Sequence, residues 1–257
     1  MASGLKHLSN ALATPDQLSN SSSSIDNVPS DLETSIRCAG AQLTQAAGVL
    51  LHLSQDIIAQ AVVIFTRFWL GADGGSLRIY SVKDVSAAAL YLTAKLSFQP
   101  TSPRSVLNVY TLLLSQDASP LWFVRQSGAP EPLHPPKHIS CPREAISLPA
   151  VAQRVIQHLN AALLSPQLLY VTHQPNALAV AAIYLASREE GVKLVDSEWW
   201  EVFDVDREEL GFLVVGMKST EGFMRVEISR WKNKAIPMVV DEVDSEIERR
   251  RMMEEGE

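Results

Sequence analysis

The segment Val85–Lys95 reads VSAAALYLTAK, and 93 residues further on Leu178–Arg188 reads LAVAAIYLASR. Both copies carry Ala-Ala, an aliphatic residue, Tyr-Leu, two small residues and a cation. In the first copy Val85, Ala88, Ala89 and Leu92, continued by Leu96, recur at helical spacing and predict a helix with an apolar stripe. Adjacent alanines let other helices approach closely, and an apolar arc this wide belongs to a helix surrounded by others. Two such helices point to a tandem duplication of one helical domain. The alternative is two unrelated core helices built from the same common residues.

Working outward, residues 1–29 include LSNSSSSIDNVPS, a polar stretch with little to bury, and are expected to form a disordered Ser-rich tail. Ser30 and Glu33 have the spacing of a capping box. Ile36, Ala39, Leu43, Ala46, Ala47 and Leu50 then continue a helical stripe. Ser54 opens a second helix with Ile57, Ile58, Ala61, Val62, Phe65, Phe68 and Trp69 on its apolar side, and the glycines of GADGG break it. Ser81 with Asp84 would cap the quoted helix. Ser102 and Pro103 start a fourth, whose stripe is Val106, Val109, Tyr110 and Leu113.

Between Gln116 and Pro149 fall seven of the 14 prolines, a density that no helix interior tolerates, so 116–149 reads as a linker or insert. Helical spacing resumes with Val151, Val155, Leu159 and Leu163, restarts at Ser165-Pro166, and continues from Pro175 to Gly191. A short SEWWEVF piece precedes a helix capped by Asp206 and Glu209. FLVVGM, the one run that could pass for a strand, sits inside that capped pattern. The last residues, DEVDSEIERRRMMEEGE, place acids and arginines as on a solvated helix. The fold class is all-α, in two helical halves.

The 257 residues are 46% hydrophobic, enough for a core, and the net charge of −7 gives no general reason to bind nucleic acid. No apolar run is long enough to span a bilayer, and the start of the chain has no signal-peptide pattern. Two cysteines, Cys38 and Cys141, are too few for a disulfide framework, so a reducing interior is expected.

The central segment AAALYLTAK resembles the signature helix of the cyclin box. VVIFTRFW, with Arg67 and Phe68, is similar to the helix before it. The arrangement Gly48, Leu51, Leu53, Gln55 and the pair Gln99-Pro100 resemble transcription-type cyclins of the C, K, L and T groups. The second half, through AVAAIYLASREEGVKL and EWWEVFDVDREEL, looks like their degenerate C-terminal box. The resemblance covers roughly residues 31–115 and 150–222.

The resemblance implies a pair of cyclin-box domains, of about five helices each. Together with the composition it divides the chain into a tail (1–29), a truncated N-terminal box (30–115), a Pro-rich linker or insert (116–149), a C-terminal box (150–222) and a charged C-terminal segment (223–257). It also implies a nuclear regulatory subunit that binds and activates a cyclin-dependent protein kinase, in RNA polymerase II transcription or RNA processing. Lys95, Leu96 and Phe98 would form the kinase interface, and Arg67 would organise the box. The sequence departs from the family in two places. Ser97 and Phe98 stand where an acidic pair is usual, and the fifth helix of the first box is missing, its place taken by the Pro-rich stretch. Glu144, between two prolines, is a poor substitute for the glutamate of that helix.

His134, His138 and Cys141 have ligand-like spacing but lack a fourth ligand, so exposed polar residues are expected and no metal. The acids from Glu189 to Glu209 lack the glycine-punctuated loop of a calcium site and read as a solvated face. Of Trp199 and Trp200, at least one is expected in the core. GADGG lacks the Lys-Ser/Thr of a phosphate loop, and no nucleophile–base pair can be argued. No catalysis and no cofactor are expected. Two other readings remain: a kinase-independent helical adaptor, and a nucleic-acid-binding factor of the transcription-factor-B type, which would want a basic stripe and a zinc ribbon.

Overall fold

The structure, a computed structural model, describes residues 10–115, 148–195, 197–232 and 234–255. These form α1 (Pro15–Ser19), α2 (Ser22–Ile25), α3 (Ser30–Leu50), α4 (Gln55–Phe68), α5 (Val82–Leu96), α6 (Pro103–Ser115), α7 (Leu148–Ala162), α8 (Leu169–Thr172), α9 (Pro175–Glu189), α10 (Arg207–Arg230) and α11 (Val240–Glu255), with a 3-10 turn at Trp199–Phe203. There is no strand among the described residues, so the all-α expectation holds. The chain divides into two compact units. One falls within Ala13–Ala129 and Arg225–Glu257, the other within Met1–Leu12 and Pro130–Met224. The missing fifth helix, Glu144, His134, His138, Cys141 and most of the Pro-rich stretch lie outside the described residues.

In the first unit the stripes expected for α3, α4 and α6 are largely those buried. α3 is the platform. A Cβ on Gly40 would stand 2.3 Å from the Phe65 ring and 2.5 Å from Val82, and one on Gly48 would stand 2.6 Å from Ile58. Glycine at these two positions lets α4 and α5 lie directly on the α3 backbone. That contact offsets the roughly 1 kcal/mol a helical glycine costs.

Several local expectations change. The serine-rich stretch is not a loose tail where the structure describes it. Thr14 and Gln17 close a capping box on α1, Ser21 caps α2, and buried Ser23 accepts the Leu77 N–H at 3.0 Å. Serine hydroxyls that look merely polar by composition here satisfy backbone ends. The Ser30–Glu33 capping box does not form. Pro29 is the N-cap, and Glu33 is buried, accepting from Ser21 Oγ at 3.0 Å and pairing with Arg37 at 3.3 Å. Ser81 is the N-cap of α5, but its hydroxyl donates to the Met238 carbonyl at 3.2 Å.

From Arg225 the C-terminal segment belongs to this unit, and α11 is the largely solvated helix expected, with Val243 its one buried residue among those described. Trp231, Ile236, Met238 and Val243 are buried, and Met238 O accepts the Val82 N–H at 3.0 Å. The expected acid–arginine pairs do form along α11. The helix is also tied back by Arg78–Asp244 at 2.8 Å and Arg250–Asp31 at 3.0 Å.

In the second unit α9 is central, as expected: Ala177, Leu178, Val180, Ala181, Ala182, Leu185, Ala186 and Ser187 are all buried. Leu169, Leu210, Leu213 and Met217 complete the core, with Val155, Leu159, Trp199 and Trp200 packed against it. Asp206 accepts the Glu209 N–H at 2.7 Å and so caps α10. α10 carries FLVVGM inside one helix; its residues to Met224 belong to this unit and those from Arg225 to the other.

Candidate protein-docking face

The position of α5 is fixed from within by a polar chain. Thr44 Oγ1 donates to Gly40 O at 2.8 Å and lies 2.7 Å from Ser86 Oγ, which lies 2.6 Å from the Tyr110 hydroxyl. All three side chains are buried, and burial raises the Tyr110 phenol above its ordinary pKa. A fully satisfied buried network is directional, so it sets the register of α3, α5 and α6 in a way that apolar contact alone does not.

This register corrects the face read from the sequence. The side of α5 turned to the core is Val82, Ser86, Ala89, Leu90, Thr93 and Ala94. Its small residues permit close approach. Its hydroxyls are satisfied internally, Thr93 by Ala89 O at 2.8 Å. Of the expected stripe only Ala89 is buried; Val85 is half-buried, Ala88 is exposed, and Leu92 and Leu96 are 47% and 78% exposed.

The end of α5 extends this apolar line. Lys95 is exposed, with Nζ 5.8 Å from the centre of the Tyr91 ring, a cation–π distance. Ser97 leaves the helix in an extended conformation, its Oγ donating to Ala94 O at 2.8 Å and accepting the Gln99 N–H at 3.0 Å. Gln99 Oε1 accepts the Ser54 N–H at 3.1 Å. Between these anchored neighbours Phe98 is 81% exposed. Lys95, Leu96 and Phe98 are therefore brought together at one end of the helix.

Arg67 is not with them. It is half-buried on the last turn of α4, whereas the Gln99 contact is made at Ser54, before that helix's first turn. Thirteen helical steps separate the two, about 20 Å. Sequence spacing puts Leu92 on the core side and gives no sign of the anchoring at Ser97 or, with one exception, at Ser54. One signal was available for the last: Ile57, at the third position of α4, cannot return a capping-box acceptor to the N-cap N–H.

Elsewhere, Glu198, Glu201, Asp204, Asp206 and Glu208 are exposed, while Glu189 pairs with Arg154 and, at 3.0 Å, with His158. Burial raises the Glu189 carboxyl, but the hydrogen bonds from Arg154 and His158 leave it below its ordinary pKa. Among the described residues no three His, Cys, Asp or Glu side chains gather where they could hold a metal ion.

Each unit of this all-α chain is built on one copy of the repeated helix, and the copy in the first unit ends in an exposed apolar, cation-tipped face. No family model matches the chain. Among curated proteins it is similar to cyclin-L1-1 of Oryza sativa subsp. japonica, 28% identical over 218 residues, covering 75% of this chain and 50% of that protein. It is 29% identical to human cyclin-L2 over 230 residues, 79% of this chain and 43% of the relative. Human cyclin-L1 is 26% identical over 242 residues, with 79% and 43% covered. The chain thus spans about half the length of the curated relatives it matches. It resembles the transcription-type cyclins, and within them the L group.

Proposed function

We propose that this chain is a cyclin: a regulatory subunit, not itself an enzyme, that binds and activates a cyclin-dependent protein kinase in the nucleus, in RNA polymerase II transcription or RNA processing. The observation that supports this most directly is the exposed cluster of Lys95, Leu96 and Phe98, at the end of a helix whose core face is already filled. The open line from Ala88 to Phe98 would lie against the kinase's regulatory helix, with Lys95 supplying the charged contact. The kinase performs the phosphoryl transfer. Arg67 acts at a distance from this contact, organising the box.

Affinity capture of the chain from its own cells, with bound proteins identified by mass spectrometry, tests the reading beside Lys95→Glu. The expected result is a cyclin-dependent kinase recovered with the native chain and lost with the variant. Losing such a charged contact costs about 2–5 kcal/mol. A folded native chain that recovers no such kinase would overturn the proposal.

A further inference from the structure

The pair Gln99-Pro100 belongs to the motif that marks the family resemblance, yet the docking reading gives it no work. Its geometry suggests some. Ser54 is the N-cap of α4, and its backbone N–H needs an acceptor that a capping box would draw from the third helical residue. That residue is Ile57, which has none to offer. Gln99, 45 positions away in sequence, supplies it through Oε1 at 3.1 Å. On the near side, Ser97 Oγ bonds both Ala94 O and the Gln99 N–H. Phe98 is thus the one residue of Ser97–Gln99 that turns fully outward, between two neighbours tied to different helices. A large apolar ring at 81% exposure gains little from the fold itself, so the anchoring serves its presentation.

We propose that Gln99 is a positioning residue, which clamps the end of α5 to the start of α4 so that Phe98 is held out, preordered, for the kinase partner. This rests on the docking reading above. A preordered side chain avoids an entropic loss on binding, so releasing the clamp speeds dissociation by about 2- to 10-fold.

The test uses the full chain in two arms. In the first, Phe98→Cys carries a nitroxide on a Cys141→Ser background. Cys38 stays unlabelled because it is buried, which pushes its thiol up to about 12. Adding Gln99→Met, which keeps length but removes the acceptor, sharpens the nitroxide spectrum. Gln99→Glu, which keeps an acceptor oxygen, restores it. In the second arm, the dissociation rate is measured from the kinase recovered in the capture experiment. Gln99→Met releases it faster and Gln99→Glu does not. Ser102→Ala, which removes the cap hydrogen bond of α6 at a similar cost in stability, leaves the rate unchanged.

An unchanged nitroxide spectrum in Gln99→Met overturns the clamp. Unchanged dissociation in Gln99→Met, where Phe98→Ala accelerates it, overturns the positioning role while leaving the docking face standing. Unchanged dissociation in Phe98→Ala and Lys95→Glu together removes the docking face, and the role proposed for Gln99 with it.

Discussion

The two copies of the repeated helix can be set side by side, α5 in the first unit and α9 in the second. Ala88 is exposed where Ala181 is fully buried, and Leu92 is 47% exposed where Leu185 is 2% exposed. Both tip cations sit over the matching tyrosine, Lys95 at 5.8 Å from Tyr91 and Arg188 at 6.0 Å from Tyr184. Beyond the cations the two copies diverge. After Arg188 comes Glu189, tied to Arg154 and His158, whereas Lys95 is succeeded by Leu96 and Phe98, both in the open. The same letters thus specify the helix and its cation, and the neighbours decide which faces are covered. One copy is enclosed core, and the other leaves an apolar line exposed.

The sharpest way to break the comparison is truncation at the equivalent leucines. Leu185→Ala should destabilise by about 2–5 kcal/mol, and Leu92→Ala by only about 0.5 kcal/mol, read from urea unfolding midpoints. Equal losses would mean that the two copies are equally enclosed. Next in size, Gly48→Ala should cost about 1–3 kcal/mol through its clash with Ile58. Gly222→Ala, where an added Cβ meets nothing within 4 Å, should stabilise by about 0.5–1 kcal/mol. Tyr110→Phe, which removes the end of the buried chain that sets α5, should cost about 1 kcal/mol in thermal unfolding.

The smallest effect concerns α11, the last helix of the first unit. The hydrogen bond from Arg249, joined by Arg250 and opposed by burial, lowers the Glu246 carboxyl from 4.5 to about 2. A lowered folded-state pKa means that the stabilisation is complete above the unfolded value and is lost as pH falls from about 4.5 towards 2. With arginine partners partly in solvent, it should amount to about 0.5–1 kcal/mol. Glu246→Gln should flatten the stability-versus-pH curve in that window, and an unchanged slope would assign it to other carboxylates.

Much of the fold was legible because helical spacing and duplication are both local signals. The stripes Ile57–Ile58–Ala61–Val62–Phe65 and Val106–Tyr110–Leu113 could be read directly, as could the caps at Ser102 and Asp206. The outward turn of Leu92 and Leu96 could not. Apolar residues lie all round α5, and its core face is chosen by satisfied hydroxyls at Ser86 and Thr93, which composition counts as polar. Glu33 misleads for a related reason: its spacing from Ser30 fits a cap, yet its partners are Ser21, outside the helix, and Arg37, one turn further on. The return of Trp231, Ile236, Met238 and Val243 into the core of the first unit rests on contacts distant in sequence, which no periodicity records. Resemblance alone assigns Lys95, Leu96 and Phe98 to a docking role, while the Ser54–Gln99 bond joins residues that no local pattern links.

The most direct test of the central claim, that one copy of the helix docks a partner and the other does not, is a paired charge reversal. The amount of cyclin-dependent kinase captured by Lys95→Glu is measured beside that captured by Arg188→Glu, with both variants checked for native helix content. Loss of the kinase with Lys95→Glu and native recovery with Arg188→Glu are expected. Equal recovery by the two variants, or loss with Arg188→Glu alone, would contradict it.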